Sequence, residues 1–290
     1  MELAAAGLAR WACSVDIKRS RSDLLNDGWE LTVIIDAHVH LDSPGPGVDQ
    51  TELATLLRRA DAAGIERLLL AGSVMQPGTH PSPEGVRAVN DQTMAAVRQQ
   101  PERLWGLCYV NPRHGQAARE EILRCVRDGP LCGIKLWVAA RAGDEVVDVV
   151  AETAVELGVA VLQHAWDHTP GSPPDQSRSS DVAELAARFP DLRIQMAHMN
   201  GVGHRGLNTV AGFANVWVDT AGSQPLAGTL EYALERLGPG RIVFGSDYPV
   251  REFGVKVASV RAAVGDESVR RALLHDNALA LWGKRGSAQA

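Results

Sequence analysis

The chain has 290 residues, 45% of them hydrophobic and 22% charged, with a formal net charge of −6, the profile of an ordinary globular protein. No basic stretch is long enough to track a phosphate backbone, which argues against nucleic acid as a partner. No apolar run approaches the ~20 residues that a membrane span needs. Four cysteines, Cys13, Cys108, Cys125 and Cys132, show neither C-x-x-C spacing nor the density of a disulfide scaffold. A reduced, cytoplasmic setting is therefore expected.

Residues 1–30 read as a leader ahead of the fold, with an alanine-rich start that carries Glu2 and lacks the early positive charge of a signal peptide. From Leu31 onward, short apolar runs alternate with longer amphipathic segments. The predicted strands are Thr32–His38, Arg67–Ala71, Leu104–Val110, Cys132–Trp137, Val159–His164, Arg193–His198, Val216–Thr220 and Ile242–Asp247. They are rich in Val, Ile and Leu without strict polar alternation, as parallel strands buried on both faces should be. Helical faces run between them: Leu53, Leu56, Leu57 and Ala60 share one, and Val146, Val149, Val150 and Thr153 another. Gly64, Gly158 and Pro190 supply stop signals at the expected places. Repeated βαβ units of this kind predict a single-domain (β/α)₈ TIM barrel over 31–284. A terminal helical segment, Arg270–Trp282, is expected to pack outside the barrel, and 285–290 form a tail.

The histidines fall in informative places. His38 and His40 are two apart in "VIIDAHVHL" at the end of the first strand, and side chains at i and i+2 point the same way. Two such imidazoles can converge on one metal ion. His164 closes "VAVLQH", His198 closes "RIQMAH" and Asp247 closes "IVFGSD". In a barrel these C-terminal strand ends form one ring around the mouth, where catalytic groups gather. Any one of these residues alone could be satisfied by loop backbone; a shared site accounts for all of them at once. Asp36, two residues before His38, is expected on the same face, supporting the site from deeper in the barrel.

The motifs "IDAHVHL", "YVNPRHG", "GIKLW", "VLQHAWD", "MAHMNG" and "FGSDYPV" resemble those of the amidohydrolase superfamily, in its amidohydrolase-related branch of lactonases and decarboxylases. The resemblance runs from about Val33 to Trp282. It implies that His38, His40, His164 and Asp247 hold a divalent metal, and that His198 helps activate water or hold substrate. Three imidazoles and a carboxylate suit Zn²⁺, and also accept Mn²⁺ or Fe²⁺. Asp247 is expected to take and return a proton in catalysis.

Lys135 in "GIKLW" is either a carboxylated bridge between two metals or a cation for a substrate carboxylate. Trp137 and Trp166 follow the fourth and fifth strands, where they either wall the pocket or pack the loops. Arg113 could pair with an anionic substrate, and His168 lies in a Pro/Gly-rich loop past His164. The expected function is hydrolysis of a small-molecule ester, lactone or amide by metal-activated water. The alternative is non-oxidative decarboxylation of an aromatic or unsaturated acid on the same scaffold, and a third reading is a non-catalytic binding protein. The resemblance also implies a homo-oligomer.

Overall fold

The computed structural model describes residues 33–286 except 43, 44, 46, 168–170 and 223–226. The leader, the end of the tail and the loop histidine His168 lie outside the described residues. Eight parallel strands follow one another in sheet order exactly as in sequence: β1 (Ile34–Val39), β2 (Ile65–Leu70), β3 (Leu104–Tyr109), β4 (Gly133–Leu136), β5 (Val161–Gln163), β6 (Ile194–Met196), β7 (Val216–Asp219) and β8 (Ile242–Val243). The last strand meets the first through Ala37 N–H to Phe244 O at 2.8 Å, Asp247 N–H to His38 O at 2.9 Å and His40 N–H to Tyr248 O at 2.7 Å. This is the (β/α)₈ barrel that the alternation predicts.

Helices surround it: α1 (Gln50–Ala62), α2 (Pro83–Gln99), α3 (Gln116–Ile122), α4 (Asp148–Leu157), α5 (Ser179–Arg188), α6 (Met199–Val210), α7 (Thr229–Leu237), α8 (Phe253–Ala263), α9 (Glu267–Arg271) and α10 (Asn277–Gly286). Each starts or stops for local reasons. Asp49 caps α1 by accepting from the Thr51 and Glu52 amides, satisfying donors that have no partner within the helix. Gly158 ends α4 in the left-handed conformation at φ +63°, which costs a glycine little. The expected face of α4 is present from Val150 onward, but Val146 is exposed because Glu145–Val147 winds as a 3₁₀ turn that buries Val147 instead.

Two apolar layers hold the barrel. Outward-facing strand residues such as Ile34, Leu68, Ile134 and Ile194 pack on the helices. Inward-facing Ile35, Leu69, Leu107, Leu162 and Val243 fill the interior together with Trp282. The terminal helix therefore does more than lie outside. Trp282 is 2% exposed and its indole N–H donates to Gln195 Oε1 at 2.8 Å, closing the floor of the barrel opposite the mouth.

Several strands end sooner than the apolar runs do. His198 and Asp247 adopt φ of +69° and +65° and are the non-glycine residues with positive φ among those described. Strand β6 ends at Met196, shortly before the first, whereas β8 ends at Val243, where the Phe244 amide turns to Leu273 O and the Gly245 amide to Thr220 Oγ1. Gly133 shows how tightly the floor is filled: a Cβ there would lie 2.5 Å from Trp282 Cζ3 and 2.8 Å from Ala160 O. Gly133→Ala is expected to cost about 1–3 kcal/mol through overpacking, read as a lower urea midpoint with the fold retained.

Candidate metal centre and active site

The first strand positions the centre through an irregularity. Asp36 pairs with Leu68 but Val39 pairs with Leu70, so β1 carries one extra residue between them. Such a bulge re-aims side chains. Ile35 and Ala37 face the interior, which puts Asp36 on the opposite face, and the bulge then turns His38 to the inside. Asp36 thus does not share the face of His38 and His40; strict alternation fails where the residue is inserted. It supports the site from behind, its Oδ1 accepting from the His38 amide at 3.1 Å and the Ser246 amide at 3.0 Å.

At the mouth, one ligand atom from each of His38, His40 and Asp247 lies within 4.8 Å of the others. Asp247 Oδ1 is 3.7 Å from His38 Nε2 and 3.6 Å from His40 Nε2. Ligand atoms around a tetrahedral ion with ~2.0–2.1 Å bonds stand ~3.3 Å apart, so the spacing needs only a small contraction to grip a divalent cation. Both histidines are oriented for it. His40 Nδ1 is 2.7 Å from the Gly72 carbonyl, and His38 Nδ1 is 2.9 Å from Asp219 Oδ2. Each acceptor draws the proton to Nδ1 and leaves an Nε2 lone pair toward Asp247.

The remaining predicted residues take distinct places. His164 is outside the three-residue cluster: its ring meets His198 edge-on at 4.7 Å, and its Nε2 is 3.3 Å from Gln176 Oε1. His198 is the hub of the rings. It stacks on His38 at 5.2 Å, touches Trp166 edge-on at 5.6 Å and places Nε2 3.6 Å from Asp247 Oδ2. Lys135 is 1% exposed, with Nζ 3.3 Å from His38 Nε2. Trp137 packs against a cluster of Val74, Val86, Val89 and Tyr109. Arg113 is tied to loops instead, donating to the Ala139 carbonyl at 2.8 Å and lying 3.5 Å from Asp175.

The electrostatics suit a cation. Burial, then the neighbouring Lys135 charge, holds His38 and His40 below their ordinary range, and burial with the nearby His198 does the same for His164. Neutral imidazole is the form that ligates. Burial lowers Lys135 to about 8 against the pull of Asp247 and Asp219. For Asp247 burial acts upward but is outweighed by His198, His38 and His40, and its carboxyl stays well below the usual carboxylate range.

Two residues carried no role in the sequence reading. Asp219 ends "VWVD" at the close of β7 as the histidines end their strands, and that position was the available signal. Tyr109, the last residue of β3, pairs in register with Lys135. It is fully buried, and its hydroxyl has no hydrogen-bond partner among the described residues, an arrangement that costs about 1–3 kcal/mol unless something completes it. Nothing in sequence spacing marks it.

The amidohydrolase family model (Amidohydro_2) matches residues 35–284. No curated protein matches the chain in sequence. Among solved structures, 5-carboxyvanillate decarboxylase from Sphingomonas paucimobilis is 18% identical, with 87% of this chain and 99% of that one covered at a TM-score of 0.68. The 2,6-dihydroxybenzoate decarboxylase from Rhizobium is 20% identical, covering 86% and 98%, also at 0.68. A dihydroxybenzoic acid decarboxylase from Polaromonas, solved with manganese and the inhibitor 2-nitroresorcinol, is 19% identical, covering 89% and 98% at 0.66. At these identities the likeness is one of fold.

Burial raises Asp36 to about 7. Between about pH 4 and that value the folded protein keeps a proton that the unfolded chain has released, so its stability falls as pH rises through the window. Asp36→Asn removes this contribution and leaves the opposite rise with pH that the lowered His38, His40 and His164 supply. Between about pH 5 and about pH 7.5 the urea midpoint of metal-free protein should therefore change in the stabilising direction in the variant relative to the wild type.

Proposed function

Because the chain belongs to the amidohydrolase family, we propose that it is a metal-dependent enzyme that removes CO₂ from a small aromatic or unsaturated carboxylic acid. The observation that carries this reading is the buried Lys135 ammonium beside the cluster, 3.3 Å from His38 Nε2. It is a fixed positive charge next to a cation site, suited to a substrate that brings its own carboxylate. The printed activities of the three structural neighbours, all decarboxylases of hydroxylated aromatic acids, support the same choice over hydrolysis. No helix among the described residues is long and apolar enough to cross a membrane.

In this reading His38, His40 and Asp247 hold the divalent ion, and His164 is the candidate fourth ligand. When bound, the ion supplies Lewis-acid charge for the substrate's oxygens. Both Zn²⁺ and Mn²⁺ suit the donors, and the Polaromonas protein was solved with manganese. Lys135 donates to the substrate carboxylate, and the unpartnered Tyr109 hydroxyl offers a second donor on the same inner face. His198 and Asp247, 3.6 Å apart, manage the proton. One proton goes to the carbon that bears the carboxylate; the C–C bond then breaks, its electron pair returns to the unsaturated system, and CO₂ leaves.

Hydrolysis of an ester, lactone or amide stands as the second reading. It is favoured by the Asp247 carboxyl, which the surrounding imidazoles hold ionised, as a base toward water must be.

The two are separated by a panel of hydroxybenzoates and lactones assayed with Mn²⁺ and with Zn²⁺, scoring CO₂ against net acid release. CO₂ from a hydroxybenzoate is the expected result, and acid release from lactones alone would reverse the order. Asp247→Asn should lower kcat at least ~10²-fold in either chemistry, since it removes a placed proton carrier. Tyr109→Phe should raise KM about tenfold, the loss of one hydrogen bond to a charged group at ~1.5 kcal/mol, with kcat less affected.

A further inference from the structure

We propose that Asp219 is the positioning residue of this centre: one buried carboxylate that fixes which nitrogen of His38 is free for a cation and braces the backbone from which His198 is presented. Its two oxygens divide the work. Oδ2 lies 2.9 Å from His38 Nδ1 and accepts from Gln195 Nε2 at 2.8 Å. Oδ1 accepts from the His198 amide at 2.8 Å and from the Ala221 amide at 3.0 Å. Asp219 is fully buried, so all of these bonds are made away from solvent.

The partners leave the carboxylate no freedom to act otherwise. The Gln195 amide cannot turn over, because its Nε2 also donates to Ala37 O at 3.1 Å while its Oε1 accepts the Trp282 indole N–H at 2.8 Å. The two amides are backbone donors. Three donors thus already face the carboxylate, and Oδ2 is the acceptor that His38 Nδ1 meets. The ring must therefore carry its proton on Nδ1. The other side of the ring agrees: Lys135 Nζ stands 3.3 Å from Nε2, where a protonated lysine donates to a lone pair.

The Oδ1 side has a separate consequence. His198 is held at φ +69°, a conformation that is strained for a residue with a side chain and persists only where its surroundings enforce it. The Asp219–amide bond is one such restraint. Gly222 leaves the room that this conformation uses, since a Cβ there would lie 3.0 Å from His198 Cβ. A single side chain thereby couples a cation ligand on β1 to the ring that follows β6.

Asp219→Asn separates this role from simple packing. The amide keeps the volume, and its oxygen can still accept from the His198 and Ala221 amides. Its NH₂ then faces His38 Nδ1, which must become an acceptor, so the proton moves to Nε2 and the lone pair that would bind a cation is lost. The same NH₂ faces the Gln195 Nε2 donor, so that bond is lost too and the variant is expected to be less stable. Metal affinity rests on the proposed ligand role of His38; the tautomer does not, nor does it depend on which reaction the protein performs.

The test uses the full chain, metal-free and labelled with ¹⁵N-histidine. Long-range ¹H–¹⁵N correlation spectra assign the His38 signals by their loss in His38→Gln. The wild type is expected to show the Nδ1–H form and Asp219→Asn the Nε2–H form. Mn²⁺ affinity, read from the electron-spin resonance of the free ion, is expected to weaken ~10–100-fold in Asp219→Asn, the usual consequence of removing a carboxylate behind a ligand histidine. A wild-type His38 protonated on Nε2 overturns the proposal, and so does an Asp219→Asn protein that binds Mn²⁺ as the wild type does. If the variant does not fold, the wild-type spectrum decides alone. Failure of every substrate in the decarboxylation panel with the Nδ1–H form present would sink the proposed reaction and leave Asp219 in place.

Discussion

The seam between the first and last strands is the constraint on which the rest of the site depends. Three backbone hydrogen bonds, from Ala37 to Phe244, Asp247 to His38 and His40 to Tyr248, close the barrel and carry the candidate ligands. His38 and His40 come from one side of the seam and Asp247 from the other, so closure and convergence are the same event. Without it, the residues are over 200 positions apart in sequence and share nothing. The bulge in β1 and the left-handed turn at Asp247 complete the arrangement, because each aims a side chain that regular strand geometry would send elsewhere.

Around that seam the molecule keeps basic groups in their neutral or poised forms close to one ionised carboxylate. Buried imidazoles that cannot easily take a proton, an Asp247 carboxyl held charged and a lysine lowered to about 8 form a set whose charges are incompletely matched. In the proposed reading a divalent cation would resolve the mismatch by giving the Nε2 lone pairs and the carboxylate a common partner. In the same reading a small polar substrate would complete the Tyr109 hydroxyl, which has no hydrogen-bond partner among the described residues. Buried polar groups without hydrogen-bond partners are rare in native proteins, and the Tyr109 hydroxyl is one of them, on the face that carries Lys135.

Much of this was legible in the sequence. Parallel buried strands leave apolar runs, and crossover helices leave amphipathic ones, so the barrel follows from their alternation. Histidines and an aspartate at the ends of apolar runs stand out because strands buried on both faces have little other use for them. What was not legible depends on single-residue geometry. Period-2 extrapolation placed Asp36 inside, since no residue type announces the bulge that shifts the face. The run ending at His198 overshoots β6 at a positive φ, and the run ending at Asp247 overshoots β8 because the amides of Phe244 and Gly245 leave the ladder for Leu273 O and Thr220 Oγ1. Asp219 passed unnoticed because an aspartate alone in "VWVD" has no partner in sequence to give it a spacing. Trp282 was read as part of an outer helix, and only packing shows that its ring reaches the barrel floor.

The central claim is that His38, His40 and Asp247 form a divalent-metal centre. It is tested most directly by elemental analysis of Zn, Mn and Fe per chain, in protein purified without chelator and again after dialysis against each ion. The account predicts about one ion per chain, as a single three- or four-ligand site requires, and its loss in His40→Ala and in Asp247→Ala with the fold intact. A wild-type protein that takes up no ion, or one whose ion persists after both substitutions are combined, would contradict it.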